Sequence, residues 1–286
     1  MSEQPFLVDQ AALLRRMVTG EQAIPPSVTP TILSVMAGKG GVGKSTIALN
    51  LALAATERVS NVLLVDADPN LGNLDIMLGE SPRYRLGHIL RDEVDIDDAL
   101  FSPFPGLHML AGSSGDQEYP AFSAERYERL FDGLAATETH SDLVVIDTGA
   151  GLNRENIECA LHSDEVLVVS TVEPSAILDA YALIKTVTAS RSDIPLSILM
   201  NQVRSPRDAD EGAGKLIQAV RRFLGVTPRY AGYIPWDEKV GMAIMSQSPL
   251  LVQSPRTAAS LSMQSIAAGI LDHRTHHKIG KRMVPA

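Results

Sequence analysis

A single cysteine, Cys159, occurs in 286 residues. One thiol cannot form an internal disulfide or supply a CxxC metal site, and such sparse usage fits a reducing compartment. Cys159 stands among Ile157, Ala160 and Leu161, the setting of a small buried hydrophobe rather than a reactive thiol. Also lacking is any apolar run of 18 or more residues, so no transmembrane helix is expected. The N-terminus carries Glu3 and Asp9 and no long apolar stretch, unlike a secretory signal. A cytoplasmic protein is therefore the expectation. Basic excess is missing too. The 25 lysines and arginines are outnumbered by 34 acids, for a net charge of −9, so no direct nucleic-acid binding is expected. Internal repeats and long low-complexity segments are absent. What is present is an ordinary globular balance, 45% hydrophobic and 21% charged, over a length that suits one large or two small domains.

Residues 1–20 carry a short helical pattern, with Ala11, Leu14 and Val18 at spacings of three and four and Leu13 and Met17 alongside. Gly20 and Pro25-Pro26 break it, and residues 21–30 read as linker. From Thr31 onward, short apolar runs alternate with helical patterns. Strands are expected at Ile32–Met36, Val62–Val65, His108–Leu110, Leu143–Ile146, Val166–Ser170, Leu196–Met200 and Tyr230–Ile234. Helices are expected at Ser45–Thr56, Ala124–Ala136 and Ile177–Ala189. Continuous apolar strands of this length are buried on both faces. The pattern predicts an α/β domain over residues 31–256, a doubly wound, mostly parallel sheet with helices on both faces. Ligands of such sheets lie beyond the carboxyl ends of the strands.

One motif falls at such an end. Gly38-Lys39-Gly40-Gly41-Val42-Gly43-Lys44-Ser45 satisfies the G-x-x-x-x-G-K-[ST] phosphate-loop pattern, between a predicted strand and a helix that opens on Ser45-Thr46. Glycines let the backbone turn its N–H groups inward on one anion, and the helix adds the positive end of its dipole. Lys44 can reach the β- and γ-phosphates, and the Ser45 hydroxyl can ligate Mg²⁺. The expected cofactors are thus ATP and Mg²⁺. Two further strands end in acid: Val62–Val65 runs into Asp66-Ala67-Asp68, and Leu143–Ile146 into Asp147-Thr148-Gly149-Ala150-Gly151. A carboxylate there can hold Mg²⁺ or its waters beside a phosphate loop, which makes Asp147 the Walker B acid.

The second lysine, Lys39, narrows the pattern. Lys-Gly-Gly-x-Gly-Lys-Ser resembles the deviant Walker A motif of the MinD/ParA family of ATPases, and the resemblance extends over most of residues 31–250. It implies a P-loop NTPase fold and an ATP-dependent homodimer in which the front lysine reaches the partner's phosphates; a role of Lys39 at its own phosphates stays open beside it. Residues 66–75 resemble the family's switch I, which puts Asp66 near the metal and its waters and gives Asp68 the attacking water. Gly149-Ala150-Gly151 fits switch II, where the family more often has proline at the position of Gly149. Asn201 and the segment Pro235-Trp236-Asp237 match positions the family uses around adenine, with a turn-forming role for Asn201 as the alternative. Trp236, the only tryptophan, is expected in the core, with packing against the base or the dimer partner as the alternative.

Glu173 to Lys185, and Asp9-Gln10-Ala11-Ala12-Leu13-Leu14-Arg15, are similar to the FlhG (FleN, MotR, YlxH) subgroup. By that resemblance Asp9, Gln10, Ala11, Leu14 and Arg15 form a detached helix that stimulates an FlhF-type GTPase. Flagellar switch proteins or a flagellar transcription activator are the other implied partners, and control of flagellar number or placement the implied output. Folding back of the helix onto its own domain is the alternative. A different MinD/ParA-type positioning ATPase and a non-enzymatic nucleotide-dependent regulator are the alternative functions. At the other end, residues 257–286 combine a helical stripe, Ala259, Met263, Ile266 and Ile270, with a basic tail. Two readings stay open: peripheral contact with the inner face of the cell membrane, or a last core helix with a solvated tail.

Overall fold

A computed structural model describes residues 30–69, 72–113 and 122–282, with side chains to residue 273. The N-terminal helix pattern, including Asp9, Gln10, Ala11, Leu14 and Arg15, lies outside the described residues. Eight strands form one sheet: β1 (Thr31–Ala37), β2 (Val62–Ala67), β3 (Phe101–Phe104), β4 (Leu107–Leu110), β5 (Leu143–Ala150), β6 (Glu165–Ser170), β7 (Leu196–Val203) and β8 (Arg229–Pro235). Their spatial order is β3-β4-β2-β5-β1-β6-β7-β8. Every neighbouring pair is parallel except β3 and β4. The chain crosses from β1 over β5 to β2, and later from β5 over β1 to β6. The connections thus diverge around the central pair β1 and β5, which is where the carboxyl ends leave a crevice.

The central strands are buried on both faces because they carry apolar side chains at odd and even positions alike. Leu33 and Val35 of β1 join Val62, Leu64, Leu143 and Val145 in one core layer. Ile32, Leu63, Val65, Val144 and Ile146 point to the opposite layer. The first layer is covered by α1 (Lys44–Ala55). The second is covered by α5 (Ala124–Ala136), α6 (Arg154–Leu161), α7 (Pro174–Ser190) and α8 (Pro206–Leu224). Three short helices, α2 (Leu74–Leu78), α3 (Leu86–Leu90) and α4 (Ile96–Ala99), lead from β2 to the edge strand.

The predicted strands and the three predicted long helices are all present. Two things differ from the sequence reading. The antiparallel edge strand β3 was not expected; its sequence Phe-Ser-Pro-Phe contains a proline, which an edge strand tolerates and a central strand does not. And the break between residues 256 and 257 is no boundary in the core. After α9 (Glu238–Met245) and α10 (Leu250–Gln253), helix α11 (Ala258–Arg282) packs on α1 and β8. The stripe Ala259, Met263, Ile266 and Ile270 is buried there, so of its two readings the core helix is the one realised and the stripe is not a membrane face. This cover also explains α1, which is apolar all round: the sheet takes one side and α11 the other. No helix among the described residues is long and apolar enough to cross a membrane.

Candidate functional site

The loop from β1 to α1 is held in shape by its glycines. A Cβ on Gly38 would run into the main-chain carbonyl of Asp179 in α7, so only glycine lets the chain leave β1 pressed against that helix. Gly41 and Gly43 have φ of +82° and +85°, left-handed values that strain any residue with a Cβ. Val42 between them is buried and anchors the loop, while Gly40 and Gly41 face open space. Helix α1 starts at Lys44 with no side-chain cap, leaving its first amides for whatever lies in the loop. The loop lines a cavity of 330 Å³ together with Ser45, Thr46, Asp68 and Asn73.

Lys44 is 7% exposed, and its ammonium donates to Asp147 Oδ1 at 2.5 Å and to the Ser45 hydroxyl at 3.3 Å. Asp147 Oδ2 is buried without a hydrogen-bond partner. Burial raises the Asp147 carboxyl above the usual carboxylate range, and the Lys44 ammonium opposes the rise. A buried acceptor left over beside a hydroxyl and an ammonium fits a cation and polyphosphate better than it fits a closed core. No group of three or more His, Cys, Asp or Glu side chains forms a metal cage among the described residues. Mg²⁺ is commonly held by one or two protein oxygens plus substrate phosphates. Ser45 Oγ and Asp147 fit that pattern.

Asp66 and Asp147 are register partners on β2 and β5. Their carboxylates do different work. Both Asp66 oxygens are spent on main-chain amides: Oδ1 accepts from Asp68 at 3.2 Å, and Oδ2 from Asn73 at 2.9 Å and Leu74 at 3.1 Å. Burial foremost, then the charge of Asp147, pushes its pKa up to about 7 against the pull of these amides and Lys44. The sequence reading placed Asp66 on the metal side; in the structure its carboxylate also ties the amides of Asp68, Asn73 and Leu74 together. Gly112 closes over it, with no room for a Cβ beside the carboxylate.

Switch II is fixed by a residue that sequence reasoning missed. Asn156 of α6 is fully buried and donates from Nδ2 to the carbonyls of Gly149 at 2.9 Å and Gly151 at 3.2 Å. Its place on the apolar stripe of α6, with Cys159 and Ala160, was the available signal. A Cβ on Gly149 would lie 3.1 Å from Asn156 Oδ1 and 3.3 Å from both Asp68 Oδ1 and Pro69 Cδ. Glycine therefore brings switch I and switch II into close contact, with Asp68 against the strand end that carries Asp147.

On the other side of the loop, a second cavity of 450 Å³ is lined by Gly43, Asn201, Pro235, Trp236, Asp237 and Ile244 among others. Asn201 Nδ2 donates one of its two hydrogens to the Val42 carbonyl at 2.7 Å. Gln202 reaches the Gly41 carbonyl at 3.3 Å. These two β7 side chains brace the phosphate loop from behind. Asp237 caps α9, its Oδ1 accepting from the Lys239 amide at 2.9 Å. Trp236, expected in the core, is 58% exposed at the rim of this cavity. Lys39 points elsewhere: its ammonium bonds Glu173 Oε2 at 3.0 Å and Ser175 Oγ at 3.2 Å, on the loop and first turn of α7.

Known proteins resemble this chain in sequence and fold. The family model described as an AAA domain matches residues 30–198. The chain is 33% identical over 236 residues to the antiactivator FleN of Pseudomonas aeruginosa, covering 82% of this chain and 84% of that one. The chain belongs to the MinD/ParA family. It is also 30% identical over 237 residues to the flagellum site-determining protein YlxH of Helicobacter pylori, covering 82% and 80%. Among solved structures, the septum site-determining protein MinD complexed with Mg-ADP from Pyrococcus horikoshii shares the fold, with a TM-score of 0.71 and 20% identity over 84% of this chain and 96% of that chain. Within the MinD/ParA family the match falls on the FlhG, FleN and YlxH side.

Proposed function

We propose that the protein is an ATP-hydrolysing molecular switch that dimerises with ATP and controls flagellar number or placement. The observation that carries the catalytic half is the Lys44–Asp147 ion pair beside an orphaned carboxylate oxygen, set under the glycine loop that opens α1. The pair neutralises two buried charges. An incoming phosphate competes for the same ammonium, and Ser45 and Asp147 then offer oxygens to Mg²⁺. Held by Ser45 and Asp147, Mg²⁺ would supply positive charge that offsets the charge developing on the phosphates. Asp68, held against Gly149, orients the attacking water. Lys39 reaches the phosphates of the partner in the dimer. Pro235, Trp236 and Asp237 face the base from the neighbouring cavity, and Asn201 supports the loop.

The flagellar half rests on the likeness to FleN and YlxH. The segment of residues 1–20 is the contact for an FlhF-type GTPase, and flagellar switch proteins or a transcription activator are further partners. Titration calorimetry with ATP and Mg²⁺ tests the first half: wild type binds and Lys44→Ala does not. Asp68→Ala should bind ATP, shift to dimer mass and hydrolyse slowly; turnover at the wild-type rate would remove Asp68 from the reaction. Deleting residues 1–20 should abolish stimulation of an FlhF-type GTPase and leave ATP binding intact. Stimulation that survives the deletion favours a general positioning ATPase instead.

A further inference from the structure

The front lysine of the loop is already engaged. Its ammonium lies between Glu173 Oε2 and Ser175 Oγ, both carried by the segment that opens α7. Glu173 stands at the N-cap of that helix yet makes no capping bond with its side chain. Its carboxylate is therefore spent on Lys39 rather than on the helix amides. The alignment is not left to two mobile chains alone, because the preceding residue, Gly38, is seated on the main-chain carbonyl of Asp179 one turn and a half further along the same helix. Main chain and side chain of the loop thus dock on one face of α7. The pair is open to water, with Lys39 41% and Glu173 65% exposed. It can break without unfolding anything, unlike the enclosed Lys44–Asp147 pair.

We propose that Glu173 is a positioning residue that latches Lys39 within its own protomer and sets the threshold for nucleotide-dependent dimerisation. The inference rests on the reading of Lys39 as the residue that reaches the partner's phosphates. An ammonium held by its own protomer's carboxylate must be released before it can reach across, so the latch opposes pairing. The cost is small because an exposed ion pair is worth a factor of about five at most. A symmetric dimer opens two latches, so the effect on the dimer dissociation constant reaches about 25-fold. Ser175 holds the same ammonium through an uncharged acceptor and adds less.

The test measures the dimer dissociation constant by sedimentation equilibrium with a non-hydrolysable ATP analogue and Mg²⁺. It uses full-length wild type, Glu173→Ala, Glu173→Gln, Lys39→Ala and the double variant Lys39→Ala/Glu173→Ala. Affinity of the monomers for ADP and their melting temperatures are measured alongside. Glu173→Ala should dimerise about 2- to 25-fold more tightly than wild type, with ADP affinity and melting temperature unchanged. Glu173→Gln should fall between them. The gain should shrink toward nothing at 1 M salt, where the Debye length is about 3 Å. It should also be absent when Lys39 is already alanine. Wild type that dimerises while Glu173→Ala is unchanged or weaker overturns the latch alone, as does a gain that persists without Lys39. Wild type that stays monomeric with the analogue overturns the switch reading, and the latch with it.

Discussion

Single residues around the phosphate loop are fixed by space as much as by charge. Gly149 is the clearest case. Its missing Cβ allows Asp68 and Asn156 to lie against the end of β5. Gly149→Ala should therefore slow hydrolysis per bound ATP more than it weakens ATP binding, a split that single-turnover and binding measurements separate. Asn156→Ala leaves the Gly149 and Gly151 carbonyls without their side-chain donor and should lower stability by about 1–3 kcal/mol in a urea titration. Hydrolysis should fall with it. Cys159 is the opposite kind of residue. It is buried, and desolvation pushes its thiol up to about 12, so at neutral pH almost no thiolate is present. Iodoacetamide should modify it only as fast as the protein unfolds; rapid labelling of native protein would contradict the burial.

Among the elements, α11 does most to complete the domain. It supplies the second apolar cover that α1 requires, with Met263 and Ile270 almost fully buried. Met263→Ala should cost about 2–5 kcal/mol. The sequence presented this helix as an apolar stripe with a basic tail, a pattern shared by membrane-surface helices and last core helices. Periodicity reports that a face is apolar and cannot report what covers it. Helix α9 depends on a smaller device, the Asp237 cap. Asp237→Ala should destabilise by about 1 kcal/mol in the same titration. A larger loss of ATP affinity than of stability would mean that the carboxylate also touches the nucleotide.

At the scale of the whole molecule, the sheet order brings together groups from residue 38 to residue 237. Trp236, the only tryptophan, stands half in solvent at the rim of the cavity beside the phosphate loop. Its fluorescence should change on ATP binding and not when Lys44→Ala is mixed with ATP. The sequence by itself determined every strand but β3, the helices α1, α5 and α7, the phosphate loop and the two strand-end acids, because each is a local pattern: apolar runs, helical spacing, glycines at fixed offsets, a carboxylate after a strand. Only the tertiary structure decided how those acids divide the work, with Asp66 binding the amides of its own turn and Asp147 keeping an oxygen open. It likewise decided that Asn201 braces the loop, that Asn156 pins switch II and that Lys39 rests on Glu173. These are contacts between strands and helices far apart along the chain. Their partners are chosen by the parallel register and the crossover connections, and no local pattern of residues encodes that choice.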